Sequence, residues 1–211
     1  MSSERRKMMD SMEQVITKNG SKGWDMIYKS DQAIWDIGHP TPALRNLLKT
    51  GLIPEGLGFV PGCGVGHDVF LLANAKRRVI GMDISETCQQ LFLNEKNRLK
   101  SENCDIVLGD FFKYKPDSKY DFVFDYTFLC AIPVERRTEW AEWMAKYIRK
   151  DGILISLIFP IAEYEGGPPF SLLPSMVEAL LKDNFTLVLL EDCESIPVRQ
   201  GREKISVWKR K

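Results

Sequence analysis

VPGCGVGHD, residues 60–68, is a glycine-rich turn that follows a short apolar segment and precedes a predicted helix. Glycine at Gly62, Gly64 and Gly66 lets backbone N–H groups approach a ligand closely at the start of a helix. The spacing is G-x-G-x-G, which differs from the G-x-G-x-x-G of dinucleotide-binding enzymes. Glycines also serve ordinary strand-to-helix turns for steric reasons, so the turn alone is weak support for a binding site.

Outward from this turn, apolar segments that predict strands alternate with amphipathic segments that predict helices. Strands that are continuously apolar and alternate with helices are typical of a parallel sheet covered on both faces. The last two apolar segments have no room for a helix between them and predict an antiparallel C-terminal hairpin. We therefore predict an α/β fold with a doubly wound, mostly parallel seven-stranded sheet and helices on both faces. The predicted strands are 57–61, 78–83, 104–108, 120–125, 152–159, 187–190 and 204–208, and the main predicted helices are 86–99, 134–149 and 174–182.

The first 50 residues predict a helical segment that precedes the sheet. Met12, Val15 and Ile16 recur at helical spacing, and Thr41 before Pro42 is typical of a helix start with Thr41 as its N-cap. We interpret residues 1–50 as a helical lid over the binding site and residues 57–211 as a Rossmann-like core. The length of the chain predicts that 1–211 is a single domain.

Composition and charge exclude several classes of protein. Lys and Arg total 29 and Asp and Glu also total 29, so the chain lacks the basic surplus of nucleic-acid-binding proteins and of anchors to anionic membranes. No apolar run reaches the ~20 residues that cross a bilayer, and the charged amino terminus is unlike a secretory signal. The cysteines, five in number and without metal-like spacing, fit reduced thiols. We expect a cytoplasmic monomer that binds no metal, nucleic acid or membrane.

Two acidic residues end the strands that follow the turn. Asp83 lies 17 residues after Gly66, where a carboxylate accepts hydrogen bonds from both hydroxyls of a ribose. Its alternative role is to cap the next helix, which Ser85 can do alone. Asp110 ends the third strand beside Phe111, and the pair suits an adenine amino group and ring, although a turn aspartate beside a core phenylalanine fits equally. The turn and the two acids together predict a nucleoside-containing cofactor.

Several longer motifs occur in a fixed order along the chain. They are Trp24-(x)3-Tyr28, Ile34-Trp35-Asp36-Ile37-Gly38, Pro40-Thr41-Pro42-Ala43, VPGCGVGHDV (60–69), GMDIS (81–85), FDYTFLCAI (124–132), Ile158-Phe159-Pro160-Ile161, GGPPF (166–170) and IPVRQGREK (196–204). In these motifs the chain resembles the class I S-adenosylmethionine-dependent methyltransferases. More narrowly, it is similar to the thiopurine methyltransferase superfamily, and within it to the plant and microbial thiol, thiocyanate and halide methyltransferases. The resemblance runs from about Trp24 to the C-terminus and implies a single class I methyltransferase domain with S-adenosyl-L-methionine as cofactor, S-adenosyl-L-homocysteine as product and no metal.

The resemblance also implies a role for each matching residue. Trp24, Tyr28 and Trp35 correspond to an N-terminal aromatic triplet that packs over the cofactor, although the middle residue is often Trp in the family. Aromatic faces attract onium groups, so such rings suit a sulfonium; the alternative is that both tryptophans are core anchors. The other implied cofactor contacts are Gly62 for the methionine portion, Asp83 for the ribose with its neighbour Ile84, Asp110 and Phe111 for the adenine, and Tyr126 at the end of the fourth strand.

Methyl transfer from a sulfonium to a soft anion is an in-line displacement that needs alignment and exclusion of water more than proton transfer. A neutral thiol acceptor benefits from a base or a cation that lowers its pKa, and the candidates are Tyr126, Arg199 and Asp36. Arg199 in its late loop would attract an anionic substrate, although a solvated surface charge is the commoner fate of such an arginine. We assign Tyr126 and Arg199 as catalytic residues that act by positioning.

Other reactive side chains are given no chemistry. His39 and His67 form no metal-ligand pattern, and we expect them to be loop or capping residues. Cys63 and Cys130 are rejected as methyl-carrying nucleophiles, because direct transfer needs no intermediate and cysteine commonly serves as a small buried hydrophobe.

An apolar wall is expected around the acceptor. Phe159 and Phe170 stand where the plant relatives commonly have tyrosine, and the loss of two hydroxyls favours an apolar thiol over an inorganic halide. We assign Trp35, Phe128, Phe159, Phe170 and Arg199 to the substrate pocket, with further walls from Leu129, Ile132, Tyr164, Pro168 and Pro169.

These observations predict an S-adenosylmethionine-dependent methyltransferase that acts on a small soft nucleophile, namely a thiol, hydrosulfide, thiocyanate or halide. Three alternatives stay open. The first is a thiopurine-type S-methyltransferase with a wider pocket for aromatic heterocyclic thiols. The second is a nucleotide-dependent oxidoreductase, which the missing G-x-G-x-x-G disfavours. The third is an inactive protein that has kept the cofactor site.

Overall fold

The computed structural model describes the backbone of residues 3–211 and the side chains of residues 10–211. Residues 1 and 2, which belong to the predicted domain and lid, lie outside the described residues. The strands are β1 Gly56–Pro61, β2 Arg77–Asp83, β3 Cys104–Leu108, β4 Tyr120–Tyr126, β5 Ile148–Ile158, β6 Phe185–Asp192 and β7 Lys204–Arg210. The helices are α1 Ser3–Asn19, α2 Ser21–Lys29, α3 Pro42–Leu48, α4 His67–Leu72, α5 Glu86–Leu99, α6 Arg137–Tyr147 and α7 Pro174–Leu181.

Within the described residues, seven strands form one sheet in the order β3-β2-β1-β4-β5-β7-β6. The first five of these run parallel, whereas β7 is antiparallel to both β5 and β6. The predicted α/β fold class, with its mostly parallel sheet and antiparallel C-terminal pair, is confirmed.

The strand order reverses at β1, which lies between β2 and β4. Phe59 of β1 stands opposite Ile80 in β2 and opposite Val123 in β4. In such sheets ligands bind beyond the carboxyl ends of the strands at the point of reversal. The chain runs from β1 straight into the glycine-rich turn, so the turn lies at that point.

Two apolar layers cover the sheet, one on each face. Residues of β1 alternate between them, with Phe59 in one layer and Val60 in the other, as the two-residue period of a strand requires. Helices α6 and α7 complete the first layer, where Trp140 is fully buried. Helices α3, α4 and α5 complete the second, where Phe92 is fully buried. Among residues 3–211, no helix combines the length and the apolar character that passage through a membrane requires.

One predicted helix is shorter than expected. The expected helix spans 134–149, but α6 ends at Tyr147 and Ile148 is the first residue of β5. Ile148 is fully buried and stands opposite Tyr120 of β4. Its spacing from Trp140 also fits a helix, so periodicity alone does not separate the two states. Pairing with β4 favours the strand for this β-branched residue.

Helix α2 is held against the core by its own Asp25 carboxylate, which binds the start of α5. The Oδ1 atom of Asp25 accepts hydrogen bonds from the Ser85 hydroxyl at 2.8 Å and from the Thr87 N–H at 2.9 Å. Burial raises the pKa of Asp25, but its bonds to Lys29 and Thr87 lower it by more, so the net pKa is below the usual range. The ionised group therefore suits the positive end of the α5 dipole.

Thr41 is the N-cap residue of α3, as predicted, but its side chain makes no hydrogen bond to the helix. Its hydroxyl and N–H instead donate to the two carboxylate oxygens of Asp68, at 2.8 and 2.7 Å. Hydrogen bonds to a carboxylate are stronger than those between neutral groups, and these two hold the Thr41 side chain on Asp68. Asp68 lies in the first turn of α4, and the pair therefore joins the start of α3 to the glycine-rich turn.

Candidate functional site

A cavity of about 600 Å³ lies at the carboxyl ends of the central strands, beneath the N-terminal helices. It is lined by residues from the glycine-rich turn, from the ends of β2 and β4, from the turn after β3 and from α1 and α2. All thirteen residues assigned to the cofactor or the substrate line this cavity: Trp24, Tyr28, Trp35, Gly62, Asp83, Ile84, Asp110, Phe111, Tyr126, Phe128, Phe159, Phe170 and Arg199.

The glycine-rich turn has a backbone that only glycine adopts easily. Gly62 has φ 58° and Gly66 has φ 94°, both in the left-handed region. A Cβ atom at Gly62 would lie 2.5 Å from Cδ2 of Phe128, and one at Gly66 would lie 2.3 Å from Cδ2 of Phe92. The α4 helix that follows is six residues long. The exposed backbone of the turn, rather than a long helix, is therefore what meets the cavity.

Asp83 bridges two turns at the end of β2. One carboxylate oxygen accepts the Gly64 N–H at 3.0 Å and the other accepts the Ser85 N–H at 3.1 Å. Burial raises the pKa of Asp83, and these backbone bonds counteract that rise. The Ser85 hydroxyl caps α5 by accepting the Cys88 N–H at 3.1 Å. Ser85 is thus the helix cap, and each Asp83 oxygen keeps lone-pair capacity for a ligand.

Asp110 and Phe111 have a structural role in the turn and the core, and they also line the cavity. Asp110 accepts the Phe112 N–H at 2.9 Å, which makes it a turn aspartate. Phe111 is buried, and its ring centre lies 5.1 Å from that of Phe128 and 6.5 Å from that of Phe59. Both residues nevertheless line the cavity. Their structural role therefore does not remove them from the site.

The aromatic triplet packs directly on the glycine-rich turn. The ring centre of Trp35 lies 5.3 Å from that of Trp24 and 5.5 Å from that of Tyr28. Trp35 Nε1 donates to Tyr28 Oη at 2.9 Å. A Cβ atom at Gly64 would lie 3.0 Å from the same hydroxyl. The three rings are half-buried and line the cavity.

Arg199 belongs to a buried polar cluster and is not a surface charge. Its Nη1 donates to Tyr126 Oη, and its Nη2 donates to the Trp35 carbonyl at 2.7 Å. Tyr126 Oη in turn donates to Oε1 of Glu203, which lies 4.0 Å from Arg199 Nη1. Arg199 and Glu203 are 2% and 4% exposed, so both charges have lost most of their water. Within the described residues, the buried Nε of Arg199 has no hydrogen-bond partner.

Glu203 is the residue that the sequence analysis missed. The sequence gives a weak indication of its role, because Glu203 stands four residues after Arg199 at the start of an apolar strand, where a charge needs a partner. Burial raises the pKa of Tyr126 well above its usual range; Arg199 lowers it and Glu203 raises it further. The phenol between the two charges therefore stays protonated.

His67 and Asp36 form a second polar contact between the lid and the core. His67 Nε2 lies 3.3 Å from Asp36 Oδ1. The hydrogen bond to Asp36 raises the pKa of His67. Burial raises the pKa of Asp36, but the bonds to His67 and to the Gly38 N–H lower it by more. Asp36 is thus engaged as a carboxylate, which makes it a poor candidate base for the acceptor.

The side of the cavity that is predicted to hold the acceptor is apolar. Ile132, Pro168 and Pro169 line it together with the assigned phenylalanines. Two further expected wall residues do not line it. Leu129 is buried in the core beneath, and the exposed Tyr164 points its hydroxyl to the Pro169 carbonyl at 2.6 Å. Periodicity identifies such residues as apolar but does not show which side of a loop they face.

The two cysteines near the cavity are poor nucleophiles. Burial raises the pKa of Cys63 well above its usual range and that of Cys130 to about 12. Both thiols are therefore protonated near neutral pH, and the thiol is far less nucleophilic than the thiolate. Among the residues whose side chains are described, no cluster of three or more His, Cys, Asp or Glu is placed to hold a metal ion.

Comparisons with known proteins identify related chains. The family model described as thiopurine S-methyltransferase (TPMT) matches residues 19–211. The chain is 37% identical over 204 residues to the Arabidopsis thaliana protein named "Probable thiol methyltransferase 2", across 95% of this chain and 90% of that protein. It is 37% identical over 195 residues to "Thiocyanate methyltransferase 1" of the same plant, across 89% of this chain and 84% of that protein.

Solved structures share the fold. The structure described as "Conversion of a Disulfide Bond into a Thioacetal Group during Echinomycin Biosynthesis" matches with a TM-score of 0.75 at 18% identity, over 90% of this chain and 92% of that one. The N-methyltransferase NodS from Bradyrhizobium japonicum WM9 in complex with S-adenosyl-L-homocysteine matches with a TM-score of 0.65 at 14% identity, over 96% of this chain and 98% of that one. At these identities the likeness concerns the fold alone.

Proposed function

The chain belongs to the thiopurine S-methyltransferase family, and on that premise we propose that it is an S-adenosylmethionine-dependent methyltransferase acting on a small soft nucleophile. The acceptor class is a thiol or hydrosulfide, thiocyanate or a halide. One observation carries the proposal: the glycine-rich turn, the acids after two strands and the aromatic triplet line one cavity at the reversal of strand order.

The residues present fit the proposed cofactor. The cavity, of about 600 Å³, lies within the usual range for small-molecule sites. When bound, S-adenosylmethionine supplies a sulfonium methyl group, and a soft nucleophile attacks its carbon in line and displaces the thioether. Asp83 keeps lone pairs for the ribose hydroxyls, because each oxygen accepts only one backbone N–H. Gly62 of the glycine-rich turn lines the cavity, and its backbone is available to the methionine portion.

The other cofactor contacts follow from chemical type. Asp110 accepts the adenine amino group, while Phe111 and Ile84 offer apolar contact to the base. Trp24, Tyr28 and Trp35 supply aromatic rings whose faces attract a sulfonium cation. Their packing on the turn also excludes water from the reacting groups, which favours displacement over hydrolysis.

The acceptor side is built for a soft, weakly hydrated group. Phe128, Phe159 and Phe170 supply apolar walls, and Arg199 supplies a buried cation with an unpartnered Nε among the described residues. Tyr126 and Arg199 position the acceptor, and catalysis depends mainly on alignment. The sulfur or halide attacks directly, without an enzyme-bound methyl group.

Calorimetric titration with S-adenosyl-L-homocysteine tests the cofactor site, and NADH is the matched control. We expect saturable binding of the first and no binding of the second; the reverse result would favour an oxidoreductase. A product assay then compares an alkyl thiol, hydrosulfide, thiocyanate, iodide and an aromatic heterocyclic thiol. Fastest turnover of the last would identify a thiopurine-type enzyme. Binding without turnover of any acceptor would identify an inactive cofactor-binding protein.

We also propose that the enzyme is a cytoplasmic monomer. All five cysteines are described and free, as in proteins of a reducing compartment. Light scattering of the purified protein tests the monomer, and fractionation of the source cells tests the location.

A further inference from the structure

We propose that Glu203 accepts, through the hydroxyl of Tyr126, the proton that a neutral thiol loses during methyl transfer, and so controls which acceptors the enzyme uses. The inference rests on the proposed function. Iodide and thiocyanate arrive as anions and have no proton to lose, whereas a thiol is mostly protonated below its pKa of about 8.5. A route for the proton therefore matters for thiols alone.

The geometry places Tyr126 between the cavity and the carboxylate. Tyr126 lines the cavity, and Glu203 does not. Tyr126 Oη donates to Glu203 Oε1 and accepts from Arg199 Nη1. Because Arg199 orients the hydroxyl oxygen and Glu203 takes its proton, a second lone pair on that oxygen is available to a thiol S–H. Glu203 acts through Tyr126 and is a positioning residue.

The step balances without another reactant. The thiol S–H bond breaks as its sulfur forms a bond to the methyl carbon, and the electron pair of the breaking carbon–sulfonium bond leaves with the departing thioether. The thiol proton passes to Tyr126 Oη while the Tyr126 proton passes to Glu203 Oε1. The two transfers are concerted, because burial disfavours a free tyrosinate. Glu203 then releases the proton to water.

Glu203 also balances the charge of Arg199 in the wall. Other ionisable groups near this cluster include Arg202, whose guanidinium lies 5.6 Å from the Phe159 ring centre, Asp36 and Cys130 near Arg199, and Cys193 just after β6. Asp36 is paired with His67, and burial raises the pKa of Cys193 to about 11. Removal of the Glu203 charge therefore leaves Arg199 unbalanced, which favours anions over neutral thiols.

The Glu203→Gln variant separates the two acceptor types, because the amide keeps the shape of the carboxylate but takes no proton. Below the thiol pKa we expect kcat/KM for an alkyl thiol to fall about 100-fold, in the range of general-base catalysis, while the value for iodide is kept or raised. The decrease in kcat/KM for the thiol should vanish as the pH rises above the thiol pKa, because the thiol is then already a thiolate. Glu203→Asp should restore part of the thiol activity. Glu191→Gln, on the exposed surface of β6, is the matched control and should leave the profile unchanged.

A binding measurement gives a readout that does not depend on turnover. Calorimetry of thiocyanate added to the complex with S-adenosyl-L-homocysteine should show tighter binding in Glu203→Gln than in the unaltered protein. Tyr126→Phe interrupts the proton route but keeps the Glu203 charge, so it should lose thiol activity without gaining thiocyanate affinity. This variant also tests the proposal if Glu203→Gln does not fold.

Equal losses with thiol and iodide at every pH would overturn the proposal, because they indicate a purely structural role. An unaltered enzyme that methylates iodide but no thiol would also overturn it while leaving the proposed function intact. A protein that neither binds S-adenosyl-L-homocysteine nor methylates any acceptor would instead overturn the proposed function.

Discussion

The cavity has two halves that are assembled in different ways. The cofactor half consists of the glycine-rich turn, Asp83, Asp110 and Phe111, which all lie within residues 60–111 and follow successive strands. The half proposed for the acceptor consists of Tyr126, Arg199 and the apolar wall, and Arg199 hydrogen-bonds Tyr126, 73 positions earlier, and the Trp35 carbonyl, 164 positions earlier. The first half is local in sequence, and the second exists only after the sheet and the lid have come together.

The two halves also satisfy their polar groups differently. Asp83 in the cofactor half is held by backbone N–H groups of Gly64 and Ser85, which no side-chain substitution removes. Arg199 in the acceptor half depends on the side chains of Tyr126 and Glu203. We therefore expect changes in the cofactor half to alter mainly ligand affinity, and changes in the acceptor half to alter stability and acceptor choice.

The largest expected effect is on the acceptor half, from Arg199→Met. Methionine keeps much of the side-chain volume but leaves Glu203 buried without its ion partner, which costs about 3–5 kcal/mol of the free energy of unfolding. Urea denaturation measures this change in the free energy of unfolding. Arg202→Met, on a partly exposed arginine three residues later, is the control, with an expected loss of about 0.5 kcal/mol. Equal losses in the two variants would mean that the buried charges are not coupled.

Asp83→Ala tests the cofactor half. We expect the binding of S-adenosyl-L-homocysteine to weaken by about 1–3 kcal/mol, because charged hydrogen bonds to the ribose are lost. Calorimetry measures the change, and Asp117→Ala on the exposed surface is its control. Unaltered affinity in Asp83→Ala would remove this carboxylate from the site and, with it, the assignment of the cofactor half.

Trp35→Phe tests the contact between the lid and the cofactor half. The ring remains but its donor to Tyr28 Oη is lost, so we expect the affinity for S-adenosyl-L-homocysteine to fall by about 1 kcal/mol. This ligand has no sulfonium charge, so the loss reports the hydrogen bond rather than the cation. Trp24→Phe is the comparison, since Trp24 meets Trp35 through its ring. A larger loss in Trp24→Phe would indicate that direct ring contact outweighs the Trp35–Tyr28 bond.

The smallest expected effect is the pH dependence of the His67–Asp36 pair. The pKa of His67 is raised above 6.5, so its stabilisation is complete below pH 6.5 and is lost as the pH rises through the folded-state pKa. The pKa of Asp36 is lowered below 3.8, so its stabilisation is complete above pH 3.8 and is lost as the pH falls through its folded-state pKa. The pair therefore stabilises the lid most between these two values, by about 0.5 kcal/mol.

Chemical denaturation of the unaltered protein and of His67→Asn at several pH values measures this contribution as a difference. The difference should be largest between the ordinary pKa values of the two groups and shrink as the pH rises through the folded-state pKa of His67. A difference that does not depend on pH would mean that the contact stabilises the lid without the charge.

Much of the fold is predictable from the sequence, because strands buried on both faces are continuously apolar and alternate with helices whose periodicity is clear. The fold class and the antiparallel C-terminal pair are confirmed on this basis. The boundary at Ile148 was wrong, since an apolar residue at that position suits either α6 or β5 until β4 provides a partner. Thr41 is the N-cap residue of α3 as predicted, but its side chain binds Asp68, 27 residues later, and makes no hydrogen bond to the helix.

The candidate site was also predictable from the sequence only in part. The glycine-rich turn, Asp83 and Asp110 are recognisable in sequence because they follow their strands directly, and parallel strands bring their carboxyl ends to one edge. Leu129 and Tyr164 were misplaced, and Glu203 was missed, because an apolar or charged residue in a loop carries no sign of the direction it faces. The roles of the site residues stay predictions, to be tested by the variants above.

The sequence by itself determined the parallel sheet, the turn after β1 and the order of chemical groups at the strand ends, since these depend on local periodicity and backbone geometry. Only the tertiary structure decided that Arg199 is buried, that Glu203 balances it and that Tyr126 joins the two. The physical reason is that the energy of a buried charge depends on what surrounds it, and those neighbours come from β4, the lid and the segment before β7.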